Sequence, residues 1–206
     1  MPEPRAISQL LRVCFVAAIL LAFALVGGAI AQTESRERTT PDDVCVGGAC
    51  FAGEIEITSE TVPIRGAGTL TYLGFKVYSA ALYARPEGTA LVDAGTSEPL
   101  RLVLHYHRKI EKADINKSTI KALNSNPDVN VPAIQTALDQ MMTYHQDVKS
   151  GDRYELTFEP GRGMRVVFNG TEKGFVAGDE FARAYLGMWL SDHPLSKSLR
   201  QKLIGE

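Results

Sequence analysis

From residue 54 to about residue 110, apolar and polar positions alternate with a period of two, the mark of half-buried strands. EIEIT places Ile55 and Ile57 on one face and TVPIRG follows it. GAGTLTYLGFKVYSAALYA, Gly66 to Ala84, then reads as one extended stretch. Within it Lys76, Tyr78, Ala80, Leu82 and Ala84 fall on one side, and Val77, Ser79, Ala81 and Tyr83 on the other. TALVD, between Gly88 and Gly95, is a further short strand, and EPLRLVLHYH aligns Leu100, Leu102, Leu104 and Tyr106 on one face.

The period then becomes helical. EKADINKSTIKALNSN carries Ile115, Thr119, Ile120 and Leu123 at helical spacing, with Pro127 beyond its end. VPAIQTALDQMMTYHQDV has Pro132 near its start and a stripe of Ile134, Leu138, Met141, Met142 and His145. Strand patterns return in DRYELTFEP and GMRVVFNGTEKGFVA, where Asn169-Gly170 between alternating flanks predicts a two-residue hairpin. Asp179 opens a helix with Phe181, Ala184, Tyr185, Met188 and Trp189 on one face, and Ser196 caps a short last helix. Strands and helices are segregated along the chain, so the expected fold class is α+β: a large antiparallel sheet covered by a layer of helices.

The first residues change the domain picture. Arg5 and Arg12 precede the apolar run VCFVAAILLAFALV, and Ala29 and Ala31 fit a small-x-small cleavage site before Gln32. That run is shorter than the ~20 residues a spanning helix needs, so a signal peptide over 1–31 is expected rather than a stable membrane span. Export follows, with a bacterial periplasm as the expected location. Residues 32–53 form a polar, flexible leader, and 54–206 the folded domain. Cys14 leaves with the signal, and the remaining pair, Cys45 and Cys50 in CVGGAC, predicts a disulfide in an oxidising compartment. The net charge of −2, with 22% charged residues, argues against a nucleic-acid partner.

Candidate chemistry is sparse. His105-x-His107 on a strand turns two imidazoles to one face, where a metal could take a third ligand from His145 or an acid. The neighbours on that face, Arg101 and Val103, point instead to a solvated sheet surface, so no metal and no cofactor are expected. There is no G-x-S-x-G elbow. Gly161-Arg162-Gly163 after Pro160 reads as a tight hairpin loop rather than an anion cradle. The sequons at Asn116 and Asn169 matter only in a source that glycosylates exported proteins. The small residues around Tyr78 leave volume above the sheet, to be filled by a helix or by a flat apolar ligand whose polar end meets the Tyr78 hydroxyl.

The GAG of Gly66–Gly68 with LGFKVYSAALYA, and the closing LSDHPLSKSLRQKLIG of Leu190–Gly205, resemble the chalcone isomerase-like family over roughly Glu54 to Glu206. The resemblance implies an open-faced β-sandwich with a cleft between sheet and helices. Plant enzymes of the family cyclise chalcones to flavanones by intramolecular oxa-Michael addition, and other members bind fatty acids without catalysis. Where the enzymes place an arginine two residues after the glycine turn, this chain has Leu70; Arg65 could substitute only through a shift of register. Tyr78 stands at the enzymes' threonine, as in the fatty-acid-binding members, and their last threonine falls near Met188. Their Tyr-x-x-Lys-x-x-x-Asn helix set has no match, since Lys117, Lys121 and Asn124 are wrongly spaced. The resemblance therefore implies a hydrophobic, fatty-acid-like small molecule as partner, with Tyr78, Arg65, Leu70, Tyr106 and Met188 as its contacts. An intramolecular lyase and a structural protein with a collapsed cleft stand as alternatives.

Overall fold

The computed structural model describes residues 42–85 and 98–205. The signal segment, the leader up to Pro41 and the strand expected at TALVD lie outside the described residues. Seven strands form one antiparallel sheet in sequence order: β3 (Glu54–Ile57), β4 (Glu60–Tyr72), β5 (Phe75–Tyr83), β6 (Leu100–Tyr106), β7 (Arg153–Glu159), β8 (Gly163–Phe168) and β9 (Thr171–Ala177). Between β6 and β7 the chain makes α1 (Lys112–Ser125) and α2 (Val131–Tyr144). After β9 come α3 (Asp179–Leu190) and α4 (Lys197–Ile204), with Ser196 Oγ accepting from the Leu199 amide as the expected cap. No helix among the described residues is long and apolar enough to cross a membrane.

The helices pack on one face. Tyr78, Ala80, Leu82, Leu102, Leu104 and Tyr106 meet Leu123, Ile134, Leu138, Met141, Tyr185 and Met188 in one buried cluster. The alternation in β6 and the stripe of α2 are as the sequence predicts, whereas on α1 Ile115, Thr119 and Leu123 turn inward but Ile120, assigned to the same stripe, is 41% exposed. Helix α3 departs from prediction: Ala182, Leu186 and Leu190 are buried as well as Phe181, Tyr185, Met188 and Trp189, so it is enclosed nearly all round.

Gly66 to Ala84 is not one extended stretch but a hairpin, turning at Leu73-Gly74 between β4 and β5. A bulge where the register shifts between Leu70 and Thr71 reverses the facing of the residues nearest the turn. Val77 therefore packs toward the helix-side core, whereas Lys76 reaches the other side of the sheet to the Gly47 carbonyl. Gly66 and Gly68 make room for α4. A Cβ on Gly66 would lie 2.1 Å from the Lys202 carbonyl oxygen, and one on Gly68 2.9 Å from Leu199 Cδ1.

The opposite face is not left to solvent over its first half. Of the leader, the structure describes Asp42–Gly53, in which β1 (Val44–Val46) and β2 (Ala49–Phe51) form a hairpin closed by the Cys45–Cys50 disulfide. Ala49 and Phe51 join Ile57, Val62, Ala81, Tyr83 and Val103 in a second small core. Polar links fix the hairpin in place: Tyr83 donates to the Ala52 carbonyl (2.9 Å), Ser79 to the Val46 carbonyl (3.0 Å), and Arg153 to the Cys50 carbonyl.

Candidate functional site

Three of the five sequence-assigned contacts come together. Leu70 on β4, Tyr78 on β5 and Tyr106 on β6 are successive cross-strand partners, forming a row on the helix-side face. Met188, on α3, is buried in the same cluster. Arg65 is elsewhere. It sits at a second bulge, between Ile64 and Gly66, and its Nε donates to the Ile204 carbonyl at 3.0 Å, closing the C-terminal end of α4. Five residues of strand, about 16 Å, separate it from Leu70. The shift of register that would carry Arg65 into the row is thus present as a bulge, but it delivers the guanidinium to a helix end.

What meets the Tyr78 hydroxyl is Trp189. Its indole Nε1 donates to the oxygen at 2.9 Å, and both residues are 6% exposed. Neither a composition count nor strand alternation could pair them, although the expected apolar face of α3 did contain Trp189. Around this pair runs a continuous aromatic seam: Tyr78 edge-on to Tyr106 (5.8 Å), Tyr106 to Tyr154 (6.2 Å), and Tyr185 to Trp189 (6.0 Å). Burial raises the hydroxyl pKa values of Tyr78, Tyr106 and Tyr185 well above the ordinary tyrosine value, and that of Tyr154 to about 12. All four therefore stay neutral, and the Tyr78, Tyr154 and Tyr185 hydroxyls serve as hydrogen-bonding groups.

A second polar chain closes the seam behind α3. His145, 2% exposed, faces Asn116 Oδ1 through Nδ1 (2.5 Å) and the Tyr185 hydroxyl through Nε2 (2.8 Å). With the amide oxygen as acceptor, the imidazole proton sits on Nδ1 and Nε2 accepts from Tyr185. Desolvation first, then the nearby Lys112 charge, lowers its pKa to about 4, so His145 is neutral. It is far in role from the third metal ligand that the sequence suggested. On the other face of the sheet His105 and His107 do lie together, with ring centroids 5.2 Å apart. There His107 Nε2 is 2.8 Å from the buried Ser79 hydroxyl, and His105 Nδ1 accepts from Arg153. The solvated surface expected around them is instead the seat of the β1–β2 hairpin. Among the described residues no three His, Cys, Asp or Glu side chains form a group able to hold a metal.

The remaining motifs have structural places. Gly161-Arg162-Gly163 turns β7 into β8, with Arg162 paired to the buried Glu159. Asn169-Gly170 turns β8 into β9, and the Asn169 side chain bonds Asp152 and the Arg153 amide.

Chemically the helix-side row offers aromatic surface, neutral hydroxyls and one indole N–H, and Leu70 supplies no charge opposite Tyr78. A developing phenolate or carboxylate would find no cation in the row Leu70–Tyr78–Tyr106 or at Met188.

Comparison with known proteins agrees with this architecture. The profile of the chalcone isomerase-like family matches residues 44–205. Among solved structures, a fatty-acid binding protein of Arabidopsis thaliana is similar with a TM-score of 0.61 and 16% sequence identity, over 79% of this chain and 95% of that one. At that identity the likeness speaks for the fold. A search among curated proteins gives no match.

Proposed function

Because the chain belongs to the chalcone isomerase-like family, we propose that it binds a hydrophobic small molecule, fatty-acid-like in class, between sheet and helices beside Tyr78, without catalysing its conversion. The observation that carries this reading is the row Leu70–Tyr78–Tyr106 under α3. It is apolar and aromatic with placed hydroxyls, as small-molecule sites are, and it lacks the cation that the cyclisation requires. Removal of one oxyanion-stabilising donor typically costs ~10²–10³ in rate, so turnover of a chalcone is expected at the uncatalysed background. The fatty-acid-binding activity of the similar plant protein supports the class of ligand. The amino-terminal pattern and the Cys45–Cys50 disulfide support an exported, periplasmic setting.

Organic extraction of the purified protein, followed by mass spectrometry, tests the reading. A stoichiometric lipid is the expected result, and Tyr78→Phe is expected to retain it less well than Trp189→Phe, which loses the same Tyr78–Trp189 bond but keeps the hydroxyl. The chain has a single tryptophan, Trp189, bonded to Tyr78, so its emission reports directly on ligand entry. Protein that elutes empty and whose Trp189 emission ignores every lipid tested would overturn the proposal.

One observation favours a second reading, a structural protein with a closed interior. The Tyr78 hydroxyl is already bonded to Trp189 and the residue is buried. Measurable cyclisation of a chalcone by high protein concentrations would instead restore the intramolecular-lyase alternative.

A further inference from the structure

Among the described residues four two-residue turns join strands, and all have positive φ at both central positions: Gly47-Gly48, Thr58-Ser59, Leu73-Gly74 and Asn169-Gly170. That conformation favours glycine and asparagine, and Asn169-Gly170 meets the demand in the ordinary way, with φ of 49° and 74°. Leu73-Gly74 adopts nearly the same backbone, 49° and 81°, with a leucine where a side chain is strained. Water disfavours it too. Leu73 is 78% exposed, and the flanking Tyr72 and Phe75 are 66% and 67% exposed. Neither turn geometry nor solvation explains three large apolar side chains at this tip.

The neighbouring strands also leave the tip, although Lys76 at its base donates to the Gly47 carbonyl of the β1–β2 turn at 2.8 Å. The β5–β6 ladder ends at Tyr78–Tyr106, with one further bond from the His107 amide to the Val77 carbonyl, and β3 pairs only with Glu60–Pro63 of β4. Beyond that point β4 and β5 continue as a two-stranded arm. Every place where the described chain begins, breaks or ends lies near the opposite end of the arm. Arg85 follows Tyr83, the partner of Ile64; Asp42 adjoins Gly53, whose carbonyl accepts from the Ile64 amide; and Gly205 lies beside Arg65. Ile64 to Tyr72 spans about 26 Å of strand.

Charge is biased at the tip end. Lys76, Arg108, Lys109 and Lys149 are exposed there, against Glu111 and Asp147. Glu111 pairs with Lys109 (3.7 Å), and Asp147 accepts the Lys112 amide (2.8 Å).

We propose that the Tyr72–Phe75 tip is a membrane-docking arm that inserts into the headgroup boundary of an anionic lipid bilayer, with Lys76 and Arg108 against lipid phosphates. Three side chains expose together roughly 400–500 Å², well below the ~800 Å² per partner of a stable protein interface. A convex apolar tip suits a fluid lipid phase better than a second copy of the chain. Tyrosine and phenylalanine settle at the interface, and lysine and arginine extend toward headgroups. The proposal stands independently of what the interior binds.

Leu73→Trp tests it in the full chain. The new indole is expected to be quenched by vesicles of brominated phosphatidylcholine containing phosphatidylglycerol, while the buried Trp189 of the unaltered chain is not. This readout is local to the tip, so an uncleaved amino-terminal segment does not mimic it. Leu73→Asn recreates the Asn-Gly turn, so folding is preserved. It should lower vesicle partitioning of the exported protein by about tenfold or more, the partition worth of one leucine side chain. High salt should lower it further. An unquenched tip tryptophan overturns the proposal, whether the protein stays monomeric or self-associates through the tip.

Discussion

Tyr78→Phe tests the packing of the site in the absence of any ligand. The substitution removes one oxygen and leaves the ring, so the apolar contacts with Tyr106 and α3 persist. What is lost is the acceptor for Trp189 Nε1, at 2.9 Å and out of water. A buried donor left without a partner costs ~1–3 kcal/mol. The mutant ring gains a little from shedding its own hydroxyl desolvation, so about 1–2 kcal/mol of lost stability is expected. With a urea slope of ~1–3 kcal/mol/M for a small domain, the midpoint should fall by roughly 0.5–1 M at unchanged slope. Denaturation is best followed by far-UV circular dichroism, because Trp189→Phe must be measured in the same way. Phenylalanine at both positions removes donor and acceptor together, and it should cost less than the sum of the single changes by about 1 kcal/mol. Additive losses, or a Tyr78→Phe midpoint equal to that of the parent, would refute the claim that this bond ties α3 to the sheet.

Gly66→Ala places a methyl against the Lys202 and Leu203 carbonyls, so α4 must lift and partly expose Leu199 and Leu203. At ~1.5–3 kcal/mol per fully buried leucine, a loss of roughly 2–5 kcal/mol is expected, read as lower protection of α4 amides in hydrogen exchange. Replacing both Cys45 and Cys50 by alanine should cost only ~2 kcal/mol, because the closed loop is short and Phe51, Tyr83 and Arg153 still hold the hairpin. Loss of the whole fold in that variant would contradict the separate cores of the two faces. The depressed pKa of His145 gives a signed pH dependence. The unfolded chain takes up this proton near pH 6.5 and the folded one only near about 4, so stability is full above 6.5 and declines as pH falls through that window. His107 is lowered in the same direction by burial and Lys76. His145→Gln should flatten the decline; an unchanged pH profile would show that the imidazole is not kept neutral.

How much of this was legible in the sequence follows from the range of each interaction. Period-two alternation registers burial, so the faces of β6, those of β5 from Tyr78 to Tyr83, and the Asn169-Gly170 turn could be read directly. Leu73-Gly74 could not be read as a turn because leucine is the wrong residue for its backbone; Thr58-Ser59 breaks the same rule, and what singles out the tip is the exposure of Tyr72, Leu73 and Phe75. The bulge beside Leu70 was equally invisible, since nothing in TLTYLGFKVY marks an unpaired residue; it moved Lys76 and Val77 to faces opposite those alternation assigned. The glycines of GAG read as a turn, yet they lie within β4, and what their missing side chains admit is α4, over a hundred residues away. Trp189 and Tyr78 are joined across 111 positions, a distance over which sequence pattern carries no signal.

That bond also sets how the proposed ligand binding must behave. Helix α3 touches α1, α2, α4, β8 and β9, and is buried almost throughout, so a molecule entering between sheet and helices has to displace part of it. The last turn, Met188 to Leu190, is the place beside Tyr78, held to the sheet by the Trp189 bond and to the following chain by Arg200 on the Leu190 carbonyl and the Leu195 amide on the Met188 carbonyl. Apparent affinity is then the intrinsic affinity reduced by the fraction of molecules open at that turn. Tyr78→Phe and Trp189→Phe both remove the bond and raise that fraction alike. Only the first also deletes the hydroxyl assigned to the ligand. Displacement of a fluorescent fatty acid should therefore show Tyr78→Phe binding more weakly than Trp189→Phe, by roughly fivefold or more if the hydroxyl bonds the ligand. Equal affinities for the two variants would mean that Tyr78 serves α3 alone, and that the polar end of the ligand lies elsewhere along the seam.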